Sequence, residues 1–572
     1  MLESLLERLL SGAIILLCVS IVGLAVAGGV LNYSPVPFWD MWNGSVESVL
    51  RLNSGDLSVL WAQHNEHRII LSRILLWLDM ELFAGRSVFL LLVNYVLVAC
   101  GAIIFWRFLV RLNSEQVPGR TIHLAAFVIT AWMYLWTQEE NLTWGFQGQF
   151  FLAQLLPLFA FFALARAAGT GRAENGWFAV ACLAGVVSVG SMANGLLALP
   201  LLAIGALVLR YHISRIAVPA TLAVICFAVY LHGYYRPSGH ASLTGSLIHN
   251  PIGIIIYTCG YLGSPFYRVL GTGLPAMLIS GGAGGMMVLL SALAAWRQLR
   301  GRVVDPDIVA LLLFLAYVGG TAFLTAGGRI SLGMESVGNG RYTTPAVMAW
   351  VALFCIYSRP MLALFVRPGA TRLAALALVL GSCIIVANFQ RQALQPDVGV
   401  LHSRAVAALA LELGVQDDQY IESVYPDPAI ALGIARQAAD RNMSVFGMER
   451  YMDISSKIGH PAELPETPAC TGHIDTTEPV EGADGVLRVH GWLFNDGTKR
   501  RADSVRLVNA EGKLVGYAIA GAPRPDLSTA IDTKAERAGF DGYALVSALG
   551  EPLKVYGDDP ANCHFAGVLP PP

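Results

Sequence analysis

The sequence predicts a mainly α-helical, polytopic membrane protein of about eleven transmembrane helices, followed by a soluble α/β region that ends in a small β-sandwich. Three observations predict it. Of the 572 residues, 55% are hydrophobic and only 14% charged, whereas a soluble chain of this length needs roughly a quarter charged residues to cover its surface. The deficit is uneven: all five lysines (Lys457, Lys499, Lys513, Lys534 and Lys554) follow residue 450, and arginine is the only strong cation before residue 390. Apolar runs of bilayer length recur as far as residue 389, and short alternating runs replace them after residue 470. A net charge of −2 argues against nucleic acid as a partner, since it offers no basic face for a polyphosphate backbone.

The apolar runs lie at 12–31, 87–109, 121–137, 150–168, 176–193, 195–211, 215–233, 273–296, 307–327, 343–359 and 371–389. The first follows MLESLLERLL, whose Glu3, Glu7 and Arg8 suit a cytoplasmic amphipathic start, and no A-x-A site ends it. It therefore reads as a retained helix and not a signal peptide. Arginine sets the orientation, because short cytoplasmic loops are enriched in it. With the N-terminus inside, the inner loops carry Arg107, Arg111 and Arg120, then Arg166 and Arg172, then Arg210 and Arg215, then Arg297, Arg300 and Arg302, then Arg359, Arg367 and Arg372. The outer loops at 138–149 and near 194 carry none. An odd number of spans puts the C-terminal region outside, in the periplasm of a bacterial inner-membrane protein.

Three regions follow: a membrane domain at 1–390 with a long first outer loop at 32–86, a helical linker at 391–466, and a periplasmic β domain at 467–572. In the first loop, 45–53 and 57–81 have helical spacing and predict short helices along the membrane surface. The third outer loop, 234–272, holds an apolar stretch at 251–262 that is too short to span. In the last region HIDTTEPV, VLRVHGWLF, SVRLVNA, KLVGYAIA, GFDGYALV and LKVYG have strand period. Seven of nine cysteines sit in or beside apolar runs, where cysteine behaves as a small hydrophobe; Cys470 and Cys563 bracket the β domain and predict one disulfide in an oxidising compartment.

No GxxxxGK[ST], strand-linked GxGxxG, CxxC or HExxH motif is present, so nothing points to a nucleotide or a structural metal. The ionisable residues gather instead in the outer loops. Asp40 sits in PFWDMW between Trp39 and Trp42, and HNEHR supplies His64, Glu66, His67 and Arg68. The second loop adds Glu139, Glu140, Asn141, Trp144 and Gln147; the fourth adds Glu335, Arg341 and Tyr342. Tryptophans at an interface are explained by an aromatic belt, and arginines there by snorkelling to lipid phosphate. A carboxylate held between two tryptophans is explained by neither. Carboxylates and guanidinium groups on one membrane face suit chemistry on a membrane-delivered anion.

The layout resembles the GT-C glycosyltransferases: a cytoplasmic N-terminus, a long first outer loop with an acidic residue just after the first span, surface helices and many spans. PFWDMW, HNEHRI with LSRILL, QEENLTWGFQGQF, SMANGL, GRYTTP and ESVYPDP resemble segments of bacterial proteins of that kind. The resemblance covers 1–390. It implies transfer of a sugar from a polyprenyl-phosphate carrier to an envelope glycan, glycolipid or protein acceptor on the periplasmic face. It also implies Asp40, Glu66 and Glu140 as catalytic carboxylates, with Asp40 as general base. Arg341 is expected on the departing phosphate with Arg68 as second choice; Tyr342, His64, His67, Asn141 and Gln147 line the substrate site, and Trp39, Trp42 and Trp144 offer faces to sugar rings. Many members carry an adjacent acidic pair where Met41 follows Asp40 here, so a divalent cation (Mg or Mn) would rest on Asp40 with Glu66. The terminal β domain is similar in kind to carbohydrate-binding domains that some relatives append. An O-antigen polymerase or ligase using a lipid-diphosphate donor, and a lipid or polysaccharide transporter, are the alternatives; a transporter predicts more ionisable groups inside the spans.

Overall fold

A computed structural model describes the chain apart from residues 1, 170, 236–242, 270, 272 and 368, and the side chains of residues 2–4. The stretch 236–242 of the expected third outer loop thus lies outside the described residues. The chain forms two compact units. The first comprises Met1–Leu31, Leu60–Ile74 and Leu90–Gln395; the second comprises Asn32–Val59, Leu75–Phe89 and Pro396–Pro572.

The first unit is helical. Among the described residues, seven helical segments are long and apolar enough to cross a membrane: Leu5–Leu31, Val88–Asn113, Gly145–Arg166, Ile213–Leu231, Leu274–Arg300, Pro306–Leu332 and a stretch within Ala370–Leu413. The remaining four segments expected to span are also helical but shorter. Gly119–Met133 has 15 residues, Arg172–Ser188 has 17, Thr343–Ile356 has 14, and Ala193–Val208 falls in the same short class. At about 1.5 Å per residue such helices reach roughly 21–26 Å, less than a hydrocarbon core of about 30 Å. Length and composition therefore give seven spans where the run lengths in the sequence suggested eleven. Pro251–Leu262 is a helix of 12 residues, too short to span, as expected of the stretch 251–262.

Large aromatic side chains fill the core of this unit. Phe105, Phe108, Phe161, Phe314 and Tyr317 are fully buried, and the Tyr317 hydroxyl donates to the Ala153 carbonyl at 2.6 Å. Helix Pro251–Leu262 packs directly on Leu274–Arg300: a Cβ on Gly284 would lie 1.8 Å from the Cys259 carbonyl oxygen, so only glycine fits there. Arg111 and Arg372 of the expected inner loops are paired. Arg111 Nε donates to both oxygens of Asp307 at 2.9 Å, and Arg372 meets Glu7 at 2.7 Å.

The second unit combines helices with one sheet. Its strands are β1 (Thr471–Pro479), β2 (Val486–Asn495), β3 (Arg500–Arg501), β4 (Ser504–Val508), β5 (Leu514–Ala522), β6 (Gly539–Leu545), β7 (Pro552–Gly557) and β8 (Cys563–Val568). All neighbours pair antiparallel in the order β1-β2-β6-β5-β4-β7-β8, with β3 on β2. The six strand-period runs of the sequence are strands, but the expected two-sheet sandwich is a single curled sheet. Its ends are brought together by a parallel bridge between Ala469 and His564. Beside that bridge Cys470 and Cys563 form the expected disulfide. Curling buries Ile474, Val489, Val505, Phe540, Val555 and Phe565 against one another inside. A sandwich and a curled sheet share the same inward-outward alternation, so period alone does not separate them.

The outer face of the sheet is also covered, which explains why β5 is buried along nearly its whole length. Tyr517, Ile519 and Tyr543 pack with Val406, Leu409 and Ala410 of helix Val398–Leu413 and with Ile434 of helix Pro428–Ala439. Val36, Trp42, Val46 and Leu50 from the first expected outer loop complete this core. Asp397 and Asp427 cap the two helices by accepting from Val400 N and Ile430 N.

Candidate functional site

The expected site residues divide between the two units. Glu66, Glu140, Arg68, Arg341, Tyr342, His64, His67, Asn141, Gln147 and Trp144 belong to the first, and Asp40, Trp39 and Trp42 to the second.

In the first unit, two glutamate–arginine pairs lie around one buried tyrosine. Arg341 Nε is 3.3 Å from Glu140 Oε1, and the Arg341 backbone N–H donates to Glu140 Oε2 at 3.1 Å. Gln147 Nε2 donates to the same carboxylate at 3.4 Å. The second pair is Arg329 Nη2 with Glu66 Oε1 at 3.0 Å. Side-chain exposures of 24–38% leave both pairs open at one side. All four charged groups act electrostatically on the Tyr342 hydroxyl. Burial pushes that hydroxyl above its usual value, against the lowering influence of Arg329 and Arg341. A third pair, Arg268 with Glu139, adjoins on the second loop.

Several local devices hold this geometry. A Cβ on Gly340 would come within 3.1 Å of the Glu140 Cβ, so a small residue lets the fourth loop approach the second. Asn141 Nδ2 donates to Thr344 Oγ1 at 2.7 Å and to the Arg341 carbonyl at 3.1 Å. Thr344 in turn donates to Gln138 Oε1 at 2.6 Å. From the span below, Asn94 donates to the carbonyls of Asn141 and Trp144, each at 3.2 Å. The expected ligand Asn141 is thus a fully buried strut that fixes Arg341.

The HNEHR segment forms a tight turn in which His64 and His67 exchange backbone hydrogen bonds at 2.7 and 2.9 Å. His64 is buried with its ring edge-on to Phe146 at 5.3 Å, and Phe146 stacks on Trp144 at 5.7 Å. His67 Nδ1 accepts from Ala193 N at 3.3 Å, which ties the turn to the SMANGL segment. Arg68 differs from its expected role. Only 4% of it is exposed, and its guanidinium donates to the carbonyls of Trp61 (2.5 Å), His232 (2.8 Å) and Tyr230 (3.0 Å). Those bonds make Arg68 a clamp on the loop backbone. The arginine that does meet a catalytic candidate here, Arg329, was not singled out by the sequence; its place at the end of an apolar helix reads equally well as snorkelling.

In the second unit, Asp40 follows a turn in which Trp39 adopts φ +47. That conformation is uncommon for a non-glycine residue and is held by Trp39 N donating to the Val424 carbonyl at 2.7 Å. Trp39 is 47% exposed, and Asp40 is half-buried with Tyr425 in its field. Trp42, expected to offer a face to a sugar, is fully buried against Phe446 with ring centroids 6.4 Å apart.

Among the described residues, no group of three or more His, Cys, Asp and Glu side chains is placed to hold a metal ion. The expected cation ligands Asp40 and Glu66 belong to different units, and Glu66 Oε1 meets Arg329 at 3.0 Å. Comparison with protein-family models finds no match to this chain, and comparison with curated proteins finds none either.

Proposed function

We propose that the chain is a membrane glycosyltransferase that moves a sugar from a polyprenyl-phosphate carrier to an envelope glycan, glycolipid or protein acceptor on the periplasmic face. The observation that supports this reading is the pair of half-open Glu–Arg contacts around Tyr342, contributed by three separate loops. In the reaction the acceptor oxygen bonds to the anomeric carbon, the bond from that carbon to the carrier phosphate breaks, and the phosphate keeps the electron pair. Guanidinium groups suit the departing phosphate because they contact it through two N–H groups at once. Arg341 and Arg329 take that role. Phosphate binding draws each guanidinium away from its glutamate, so a carboxylate becomes available for the acceptor proton only when the donor is in place. Glu140 and Glu66 are the bases this unit supplies, and Asp40 is the third candidate.

The topology belongs to the same proposal. All eleven apolar helices lie within the membrane, the N-terminus and the arginine-rich loops are cytoplasmic, and the curled-sheet unit is periplasmic. Reporter fusions after residues 116, 170 and 572 test it, with the last alone expected to report a periplasmic location.

Transfer of a labelled sugar from polyprenyl-phosphate by the reconstituted protein tests the activity. Arg341→Lys is expected to lose roughly 10²-fold or more, because an ammonium cannot reproduce a two-point contact. Loss of the general base costs roughly 10²–10⁴-fold, so one of Glu140→Gln, Glu66→Gln and Asp40→Asn should fall that far. Near-normal transfer by all three, or by Arg341→Lys, would overturn the assignment.

A further inference from the structure

The first unit contains a pocket of about 220 Å³ between helix Pro251–Leu262, helix Leu274–Arg300 and the loop segment Met334–Gly338. No member of the two Glu–Arg pairs lines it. We propose that this pocket holds an acyl chain of an aminophospholipid whose ammonium group meets Glu335 at the pocket mouth.

The walls select hydrocarbon. Ile256, Leu274, Met277, Leu278 and Met334 line the pocket, and each is at least partly exposed. Ser280 lines it too, but its hydroxyl proton is already donated to the Gly260 carbonyl at 2.9 Å. An apolar cavity of about 150 Å³ is enough to hold a six-carbon ring, so this one takes a longer stretch of chain. Its outer wall faces away from the protein: Ile256 is 53% exposed, and Leu274 and Leu278 are each 68% exposed. Leu274–Arg300 is also one of the helices long and apolar enough to cross a membrane. An apolar pocket open on such a face is filled from the bilayer and not from water.

Charge narrows the class of lipid. Glu335 lines the pocket and is exposed, which puts its carboxylate on the open side. Glu66, Glu139 and Glu140 are each met by an arginine, whereas among the described residues no cationic side chain meets Glu335. A carboxylate there repels a lipid whose headgroup is a bare phosphate, the polyprenyl carrier included. It favours a headgroup that ends in an ammonium, which brings both positive charge and N–H donors. The loop that carries Glu335 runs from Arg329 to Arg341, and its Ser336 hydroxyl is hydrogen-bonded to the Tyr257 hydroxyl at 3.0 Å. A seated lipid would brace that loop between the two arginines; this consequence alone rests on the function proposed above.

The full-length protein in detergent is examined by native mass spectrometry with phosphatidylethanolamine, phosphatidylcholine, phosphatidylglycerol and a polyprenyl phosphate, each added alone and then in pairs. The expected result is one retained phosphatidylethanolamine, preferred about fivefold or more over the other two phospholipids, the upper range for one exposed charge contact. Glu335→Gln should remove that preference. Gly281 lines the pocket, and a Cβ added there meets nothing within 4 Å; Gly281→Phe should therefore fold, fill the pocket and abolish the retention. Equal retention of phosphatidylglycerol, displacement of phosphatidylethanolamine by the polyprenyl phosphate, or retention unchanged in Gly281→Phe overturns the proposal. Sugar transfer is measured on the same samples. Transfer without retained lipid removes the pocket site and leaves the transferase; retention lost in Gly281→Phe by a protein without any transfer activity does the reverse.

Discussion

Asp541 on β6 holds two histidines at once, and this should give the second unit a narrow pH window. His402 Nε2 from helix Val398–Leu413 donates to Asp541 Oδ2 at 2.7 Å, and His490 Nδ1 from β2 donates to Oδ1 at 2.5 Å. Burial alone would raise the Asp541 carboxyl, but the hydrogen bonds from His402 and His490 more than offset it and hold it at about 2. His490 is raised, first by its bond to Asp541. Moving a carboxyl from 3.8 to about 2 corresponds to about 2 kcal/mol. The signs fix the window. A lowered carboxyl stabilises above its unfolded value, so this contribution is full above about pH 4 and fades towards 2. A raised histidine stabilises below its unfolded value of 6.5 and loses that contribution as pH rises through its folded value. Asp541→Asn should therefore cost about 2 kcal/mol near pH 5 and less at pH 8.5. Amide exchange of β2 and β6 by mass spectrometry, corrected for intrinsic rates, reads the difference in the intact protein. A loss that is the same at pH 5 and 8.5 would show that His490 is not charged when folded, and the reasoning would fail.

Three further outcomes are expected. Asp79 is 2% exposed, and burial pushes its carboxyl up to about 6 despite the N–H of Ser87 at 3.0 Å. Ionisation then costs stability as pH rises from about 4 to 6, by about 3 kcal/mol, and exchange protection in Asp79→Asn should lack that slope. Replacing both Cys470 and Cys563 by serine opens a link of 93 residues and should destabilise the curled sheet by about 4–5 kcal/mol; unchanged urea unfolding would contradict this. Asn94→Leu removes the donor to the Asn141 and Trp144 carbonyls. It should lower transfer roughly tenfold or more, with Asn94→Gln recovering part of it; full activity in Asn94→Leu would remove the strut.

Much of the fold was legible because period and composition act locally. Every apolar run identified in the sequence is helical, and KLVGYAIA, almost continuously apolar, is the strand buried on both faces. What the run lengths did not reveal is where helices stop. Run 121–137 ends as a helix at Met133, because the backbone N–H of Trp136 is taken by Gln390 Oε1 at 3.0 Å, a partner 254 residues away. Run 343–359 begins at a short turn fixed by Asn141 and ends at Ile356. Tertiary hydrogen bonds of this kind override local hydrophobicity.

The candidate site was legible by residue type and not by partner. Arg341 and Glu140 stand in polar loops beside apolar helices, where any ionisable group invites a functional reading. Nothing in GRYTTP, however, says that Arg341 meets Glu140 and not Glu139, which differs by one position and pairs with Arg268 instead. Arg68 and Arg329 show the converse. Both are arginines near an expected outer surface, and Arg68, inside the conspicuous HNEHR, read as the stronger ligand. Three backbone carbonyls occupy Arg68, while Arg329 reaches Glu66 across 263 residues of sequence. Trp42 was misread for a related reason. A tryptophan beside a span reads as an interfacial belt or a sugar platform, and only the packing of residues 32–59 with helices beyond residue 396 turns it into core. Side-chain chemistry is a local property, but whether a guanidinium is spent on backbone or left facing a carboxylate depends on contacts made hundreds of residues away. The Glu66–Arg329 and Glu140–Arg341 pairs both depend on such distant contacts, which join residues 263 and 201 positions apart in the chain.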